Sequence, residues 1–120
     1  MRDFRKLEIW QKGIELVEEI YLMTRDFPDT EKFGLISQMQ RAAVSIPSNI
    51  AEGCSRHSEI EYKRFLEIAI GSSFELETQI IISNMLGYIH TEQSNKTIQE
   101  LNTLQKQINS LITIIAKSHR

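Results

Sequence analysis

Leu35-Ile-Ser-Gln-Met-Gln-Arg-Ala-Ala-Val-Ser-Ile-Pro-Ser-Asn-Ile-Ala-Glu-Gly53 is the stretch on which the fold turns. Its apolar positions, Leu35, Met39, Ala42, Ala43, Ile46 and Ile50, recur at three and four residues, the spacing of one helical face. That period runs straight through Pro47. A proline inside a helix removes one backbone hydrogen bond, so the stretch reads as one kinked helix rather than two. Asp29-Thr30 upstream offers capping side chains, and Gly53 is expected to end the helix.

Working outward, Leu7, Trp10, Ile14, Val17, Tyr21 and Thr24 form the same kind of stripe on a preceding helix, with Asp3 as its cap and Pro28 as its stop. Downstream, Ser58 and Glu61 stand in capping-box spacing before Tyr62, Phe65, Ala69, Ser72, Leu76, Ile80 and Ser83. That third helix should close at Leu86-Gly87, where glycine takes the left-handed position. The small run Gly71-Ser72-Ser73 would let a neighbouring backbone come close. A fourth helix begins near Thr91 and carries Ile98, Leu101, Leu104, Ile108, Leu111, Ile112 and Ile115. All three connections are short. The chain therefore reads as all-α, an antiparallel up-down-up-down four-helix bundle with a Pro-kinked second helix, one domain over residues 1–120.

Composition agrees. A chain of 120 residues and 13.9 kDa, 41% hydrophobic and 25% charged, has room for one core. Two prolines and five glycines are too little punctuation for a many-turned β fold. With 14 Lys+Arg against 16 Asp+Glu the formal charge is −2, which gives no strong overall pull toward nucleic acid or an anionic membrane. The longest apolar runs are only a few residues, as in Ile80-Ile81-Ile82, so no membrane span is expected. Met1-Arg2-Asp3-Phe4 lacks a signal-peptide apolar region, and the single Cys54 suits a reducing compartment, so a cytoplasmic location is expected.

Constellations that carry chemistry are missing. Neither a Glu-x-x-His pair, nor a Gly-rich phosphate loop, nor a nucleophile elbow occurs. His57, His90 and His119 fall in different connections or at the end of the chain, away from any ligand cluster. Cys54 reads as a small residue filling a turn rather than a nucleophile. The expectation is no catalytic, cofactor or metal residue, no cofactor, and no evident small-molecule substrate.

Three surfaces draw attention instead. Ile9, Leu16, Ile20 and Met23 form a second apolar stripe on the first helix, about 120° around from the first. Ile60, Phe74, Ile81 and Met85 do the same on the third. Either the core-facing surface is wide, or these are subunit contacts; the second is preferred, with Ile9, Leu16, Ile20, Met23, Phe74, Ile81 and Met85 at the interface. Next, Gln38, Arg41, Ser45, Ser48 and Glu52, with Asn49, make a polar face on the second helix. Ser, Asn and Pro cost helix stability, so a buried hydrogen-bond network at a helix–helix or subunit contact is preferred over a merely solvated face, with binding of a ligand or nucleic acid second. Ser48 could help satisfy the carbonyl freed by Pro47, and Arg41 should reach Glu75 or Glu77 on the third helix. Last, bundle topology collects Arg2, Arg5, Lys6, Arg56, Lys63 and Arg64, with Lys117 and Arg120, at one end, where RNA would bind if it binds at all.

The motifs Leu7-Glu-Ile-Trp10, Phe27-Pro28, Phe33-Gly34-Leu35, the run from Arg41 to Gly53, Arg64-Phe65-Leu66, Ala69-Ile-Gly-Ser-Ser-Phe-Glu-Leu-Glu-Thr78 and Leu86-Gly87-Tyr88 resemble one family over nearly the whole chain. It is the four-helix bundle family also called the 23S rRNA intervening-sequence protein, or S23, family. The resemblance implies a small bacterial cytoplasmic protein, an antiparallel bundle that assembles as a ring-shaped homopentamer, with no established enzymatic activity. The expected function is accordingly a non-enzymatic oligomeric scaffold or adaptor, with a structured-RNA-binding accessory protein as the alternative. An unidentified protein or RNA partner goes with either.

Overall fold

Asp3 accepts a hydrogen bond from the Arg5 backbone N–H (3.1 Å), but it starts a single 3-10 turn, Phe4–Lys6, rather than the first long helix. The computed structural model describes residues 2–118 and contains no strand among them. Helix α1 (Glu8–Thr24) follows Leu7, and Gln11 Nε2 donates to Arg5 O (2.8 Å) to tie the turn to it. Asp29 and Thr30 likewise form a 3-10 turn, Asp29–Glu31, instead of capping the second helix. That cap falls to Glu31, whose carboxylate accepts from the Leu35 N–H (3.3 Å).

Helix α2 (Leu35–Cys54) runs unbroken through Pro47 and one residue past Gly53. Pro47 is buried, and the space beside it comes from α1: a Cβ on Gly13 would lie 3.2 Å from Pro47 Cβ. Helix α3 (Glu59–Met85) is capped as its sequence predicts, with Ser58 Oγ accepting from the Glu61 N–H (3.0 Å). It ends in a Schellman motif. Tyr88 N–H donates to Ser83 O (2.9 Å), Gly87 N–H to Asn84 O (3.0 Å), and Gly87 takes φ +79°. Helix α4 (Thr91–Ser118) completes the chain.

Cross-helix contacts run in opposite chain order on successive helices. Met39 meets Ser83, Ser45 meets Ser72, and Gly53 meets Tyr62, so α2 and α3 are antiparallel. Gln40 to Thr24 and Gly13 to Pro47 give the same result for α1 and α2. The body measures 47 × 22 × 20 Å. Helices α1 and α4 close it with the thinnest seam, and α1 and α3, on the diagonal, bring no Cα atoms within 8 Å of each other.

One core lies on the axis, built from Ile20, Met39, Ile46, Leu66, Ile80, Leu101 and their neighbours. The apolar faces of α2 and α4 point where the spacing predicts. Helix α1 does not follow the expectation. Ile9, Leu16, Ile20 and Met23, expected between subunits, are buried in the chain's own core, with Ile20 at 0% exposure. Ile14 and Tyr21 of the stripe expected inside are instead exposed, at 44% and 45%. The reason is that α1 carries two apolar stripes, and periodicity alone does not rank them. Within Gly71-Ser72-Ser73 it is Ser72 that meets α2, through Ser45 (2.8 Å), while nothing lies within 4 Å of where a Gly71 Cβ would be; the close approaches of one helix to a glycine of another occur at Gly13 and Gly53.

Candidate interaction surfaces

The polar face of α2 divides into two parts. Asn49 and Ser45 turn toward α3: Ser45 Oγ and Ser72 Oγ share a hydrogen bond of 2.8 Å, and Asn49 Nδ2 donates to Ser45 O (2.8 Å) and Ser45 Oγ (2.9 Å). Only Ser45 of the expected face links α2 to α3, and its bonds are partly rather than fully buried; Ser72 is the partner that sequence spacing did not name. Gln38, Arg41, Ser48 and Glu52 are exposed. Ser48 Oγ makes no hydrogen bond among the described residues, so it does not satisfy the carbonyl freed by Pro47. Arg41 forms no ion pair within 4.0 Å among them either. It lies beside Glu75 in a shallow polar groove with Gln38, Ala42, Ser45 and Ser72. Glu77, its other expected partner, instead accepts from Asn102 Nδ2 (2.8 Å) and Gln105 Nε2 (3.0 Å) on α4.

Apolar side chains reach solvent on two sides of the bundle. The outer face of α3 presents Phe74 (55% exposed), Ile81 and Met85 (78% exposed), in line with Thr78 and flanked by Ile82. These three were expected at an interface, and the structure leaves them uncovered. The second surface is the groove between α1 and α2, lined by Trp10, Ile14, Val17, Val44, Pro47 and Ala51 and continued by Tyr21. It was missed because its α1 residues read as core. Exposure of Ile14, Tyr21 and Val44 is the signal, and it exists only once α2 is in place.

The start of the chain and the α2–α3 turn share one end, and three of the basic residues expected there are answered locally. Arg2 pairs with Glu59 and lies over the Tyr62 ring (4.0 Å to its centroid). Arg5 pairs with Asp3 (3.5 Å), and Arg56 with Glu52 (3.2 Å) while its guanidinium covers the Phe65 ring. Lys6, Lys63 and Arg64 have no carboxylate within 4.0 Å among the described residues. Arg120, expected here too, lies outside the described residues.

Two titratable pairs complete the inventory. Cys54 is buried at the last position of α2, next to Tyr62. Burial pushes its thiol up and pushes the Tyr62 phenol up to about 12, so at neutral pH both keep their protons and Cys54 is a poor nucleophile. On the α1–α4 seam, Thr97 Oγ1 donates to Glu19 Oε1 (2.7 Å). Glu100 stands nearby, its carboxyl raised first by partial burial and then by Glu19, with Lys96 (3.6 Å) opposing the shift. No group of three His, Cys, Asp or Glu residues among the described residues is arranged to hold a metal ion. Nor is any described helix long and apolar enough to cross a membrane.

The sequence model of the 23S rRNA-intervening sequence protein family matches residues 5–110. A protein of unknown function from the S23 ribosomal protein family of Bacteroides thetaiotaomicron superposes with a TM-score of 0.80 at 24% identity, covering 87% of this chain and 97% of its own. At that identity the likeness speaks for the fold. No curated protein matches the chain.

Proposed function

Because the chain belongs to the 23S rRNA-intervening sequence protein family, we propose that it works without catalysis, as a homo-oligomeric scaffold or adaptor whose function resides in the assembled ring. The observation that carries this reading is α3. A helix that is apolar on its inner face and again on its outer face is normally covered on both sides, and within one chain Phe74, Ile81 and Met85 stay 55%, 44% and 78% exposed. The exposed groove between α1 and α2 supports it further. Five copies are the assembly that the sequence resemblance implies, and a cytoplasmic setting suits the single buried thiol.

Light scattering on the purified protein tests the assembly, with a mass that is a multiple of 13.9 kDa expected at micromolar concentration. A monomer there overturns it. RNA binding is the competing reading, and it rests on Lys6, Lys63 and Arg64. Titration with a structured RNA across a salt series decides between them. The scaffold reading expects no salt-sensitive affinity. Affinity that weakens with salt, with a shallower slope in a Lys6/Lys63/Arg64→Ala variant, would replace the scaffold with an RNA-binding protein.

A further inference from the structure

We propose that the groove between α1 and α4 binds an organic cation, a short aliphatic diamine that lays its carbon chain on Leu16 and Leu104 and its ammonium groups on the carboxylates beside them. Such a site goes beyond the scaffold reading and does not depend on it.

The groove exists because α1 and α4 meet along the thinnest seam of the bundle. It holds about 370 Å³, and its walls are Lys12, Glu15 and Leu16 from α1 and Glu100, Thr103 and Leu104 from α4. Leu16 and Leu104 are buried and make an apolar floor, while Glu15 and Glu100 are exposed at the rim. Glu19 lies one turn beyond Glu15, and Thr97 one turn before Glu100. The bond from Thr97 Oγ1 to Glu19 Oε1 (2.7 Å) therefore closes one end of the groove. An apolar floor with a few convergent charges is the usual make-up of a small-molecule site.

Charge selects the ligand. Glu100 lies within hydrogen-bonding reach of Glu19, and partial burial and that neighbour raise its carboxyl. Two carboxylates so placed call for a proton or a cation between them. The protein's own cations meet this need weakly. Lys12 pairs with Glu8 (3.3 Å), one turn back along α1. Lys96 reaches Glu100 at 3.6 Å with 73% of its side chain in solvent, and an exposed pair of that kind is easily exchanged. Glu15 has no cation within 4.0 Å among the described residues. A metal ion does not suit the site, since no three ligating residues among those described are arranged for one, and the leucines offer it nothing. An organic cation uses both halves of the groove. Glu15 and Glu19 stand about 6 Å apart, one turn along α1, and a butane chain spans that distance between two ammonium groups.

Calorimetric titration of the intact protein with diaminobutane at low salt tests the site. Butanediol serves as the uncharged analogue, and magnesium chloride at equal ionic strength as charge without a carbon chain. Saturable binding at one site per chain is expected for diaminobutane and for neither control. Glu100→Gln should weaken it about tenfold or more, the loss of one charge-assisted hydrogen bond. Glu15→Gln, at an exposed position, should weaken it in the same direction. Glu75→Gln, in the groove between α2 and α3, should leave it unchanged, and circular dichroism confirms the helix content of all three. An absence of saturable diaminobutane binding overturns the proposal. Equal heats from magnesium, or equal weakening by Glu75→Gln, mean a diffuse counterion effect and overturn it too. Binding of butanediol as tight as that of the diamine removes the role of the carboxylates, with the same result.

Discussion

Gly53 and Gly71 show how far one residue type can differ in consequence. A Cβ on Gly53 would stand 2.9 Å from Phe65 Cβ and 3.0 Å from Tyr62 Cδ1, so alanine there pushes α2 off α3. Gly53→Ala should cost about 1–3 kcal/mol, the usual range for overpacking. Gly71 is mid-helix with open space around it, so Gly71→Ala should gain about 0.5–1 kcal/mol from helix propensity alone. Urea midpoints that move in the same direction for both would contradict this. Gln79 is a third case. Its Oε1 is buried without a donor, the sort of acceptor that costs about 1–3 kcal/mol. Gln79→Met should therefore raise the thermal midpoint.

At the scale of elements, the ends of α3 are set by local chemistry that the sequence displays openly. Ser58→Ala removes the acceptor for the Glu61 N–H and should cost about 1 kcal/mol. Gly87→Ala puts a side chain at φ +79° and should cost a similar amount, although nothing lies within 4 Å of the new Cβ. Both losses should appear as equal shifts by circular dichroism and by fluorescence, as a two-state bundle requires. Helix α2 behaves differently. Its first turn depends on Glu31, four residues upstream, which also accepts from Tyr88 Oη (3.0 Å) near the end of the α3–α4 connection. A start signal that reaches across the fold is not a local motif.

For the whole molecule, the exchange of roles between the two α1 stripes decides what a charge does. Ile20→Glu places a carboxylate in the core and should unfold the bundle, costing about 4 kcal/mol or more. Phe74→Glu changes an exposed position and should leave thermal unfolding of the monomer nearly unchanged while lowering the mass seen by light scattering. The α1–α4 seam should also make stability depend on pH. Glu100 has a folded value raised above the ordinary carboxylate range, first by burial and then by Glu19. Its contribution is therefore full below that ordinary range and is lost as pH rises through the raised value. Thermal midpoints should fall from mildly acidic pH toward neutrality. Glu100→Gln should flatten that slope and raise the midpoint at neutral pH, and an unchanged slope would assign the effect to other groups.

Helix number, the connections and most of the core were legible in the sequence, because three-and-four spacing, Ser58, Gly87 and Pro28 act within a few residues of themselves. Met39, Ile46, Leu76 and Ile108 are buried where their period puts them. Tertiary structure alone decided which face of α1 points inward. Leu7–Thr24 and Ile9–Met23 are both good apolar stripes, and burial goes to the one that α2 and α4 flank when the bundle closes. The candidate surfaces depend on that choice, since a stripe is a core until a neighbour leaves it uncovered. Arg41 is the same kind of case. Its type and spacing announce an ion pair, but Glu77 is already held by Asn102 and Gln105 on a helix some 25 residues further along. Local periodicity fixes which residues share a face, and only the packing of four helices against one another fixes which face meets water.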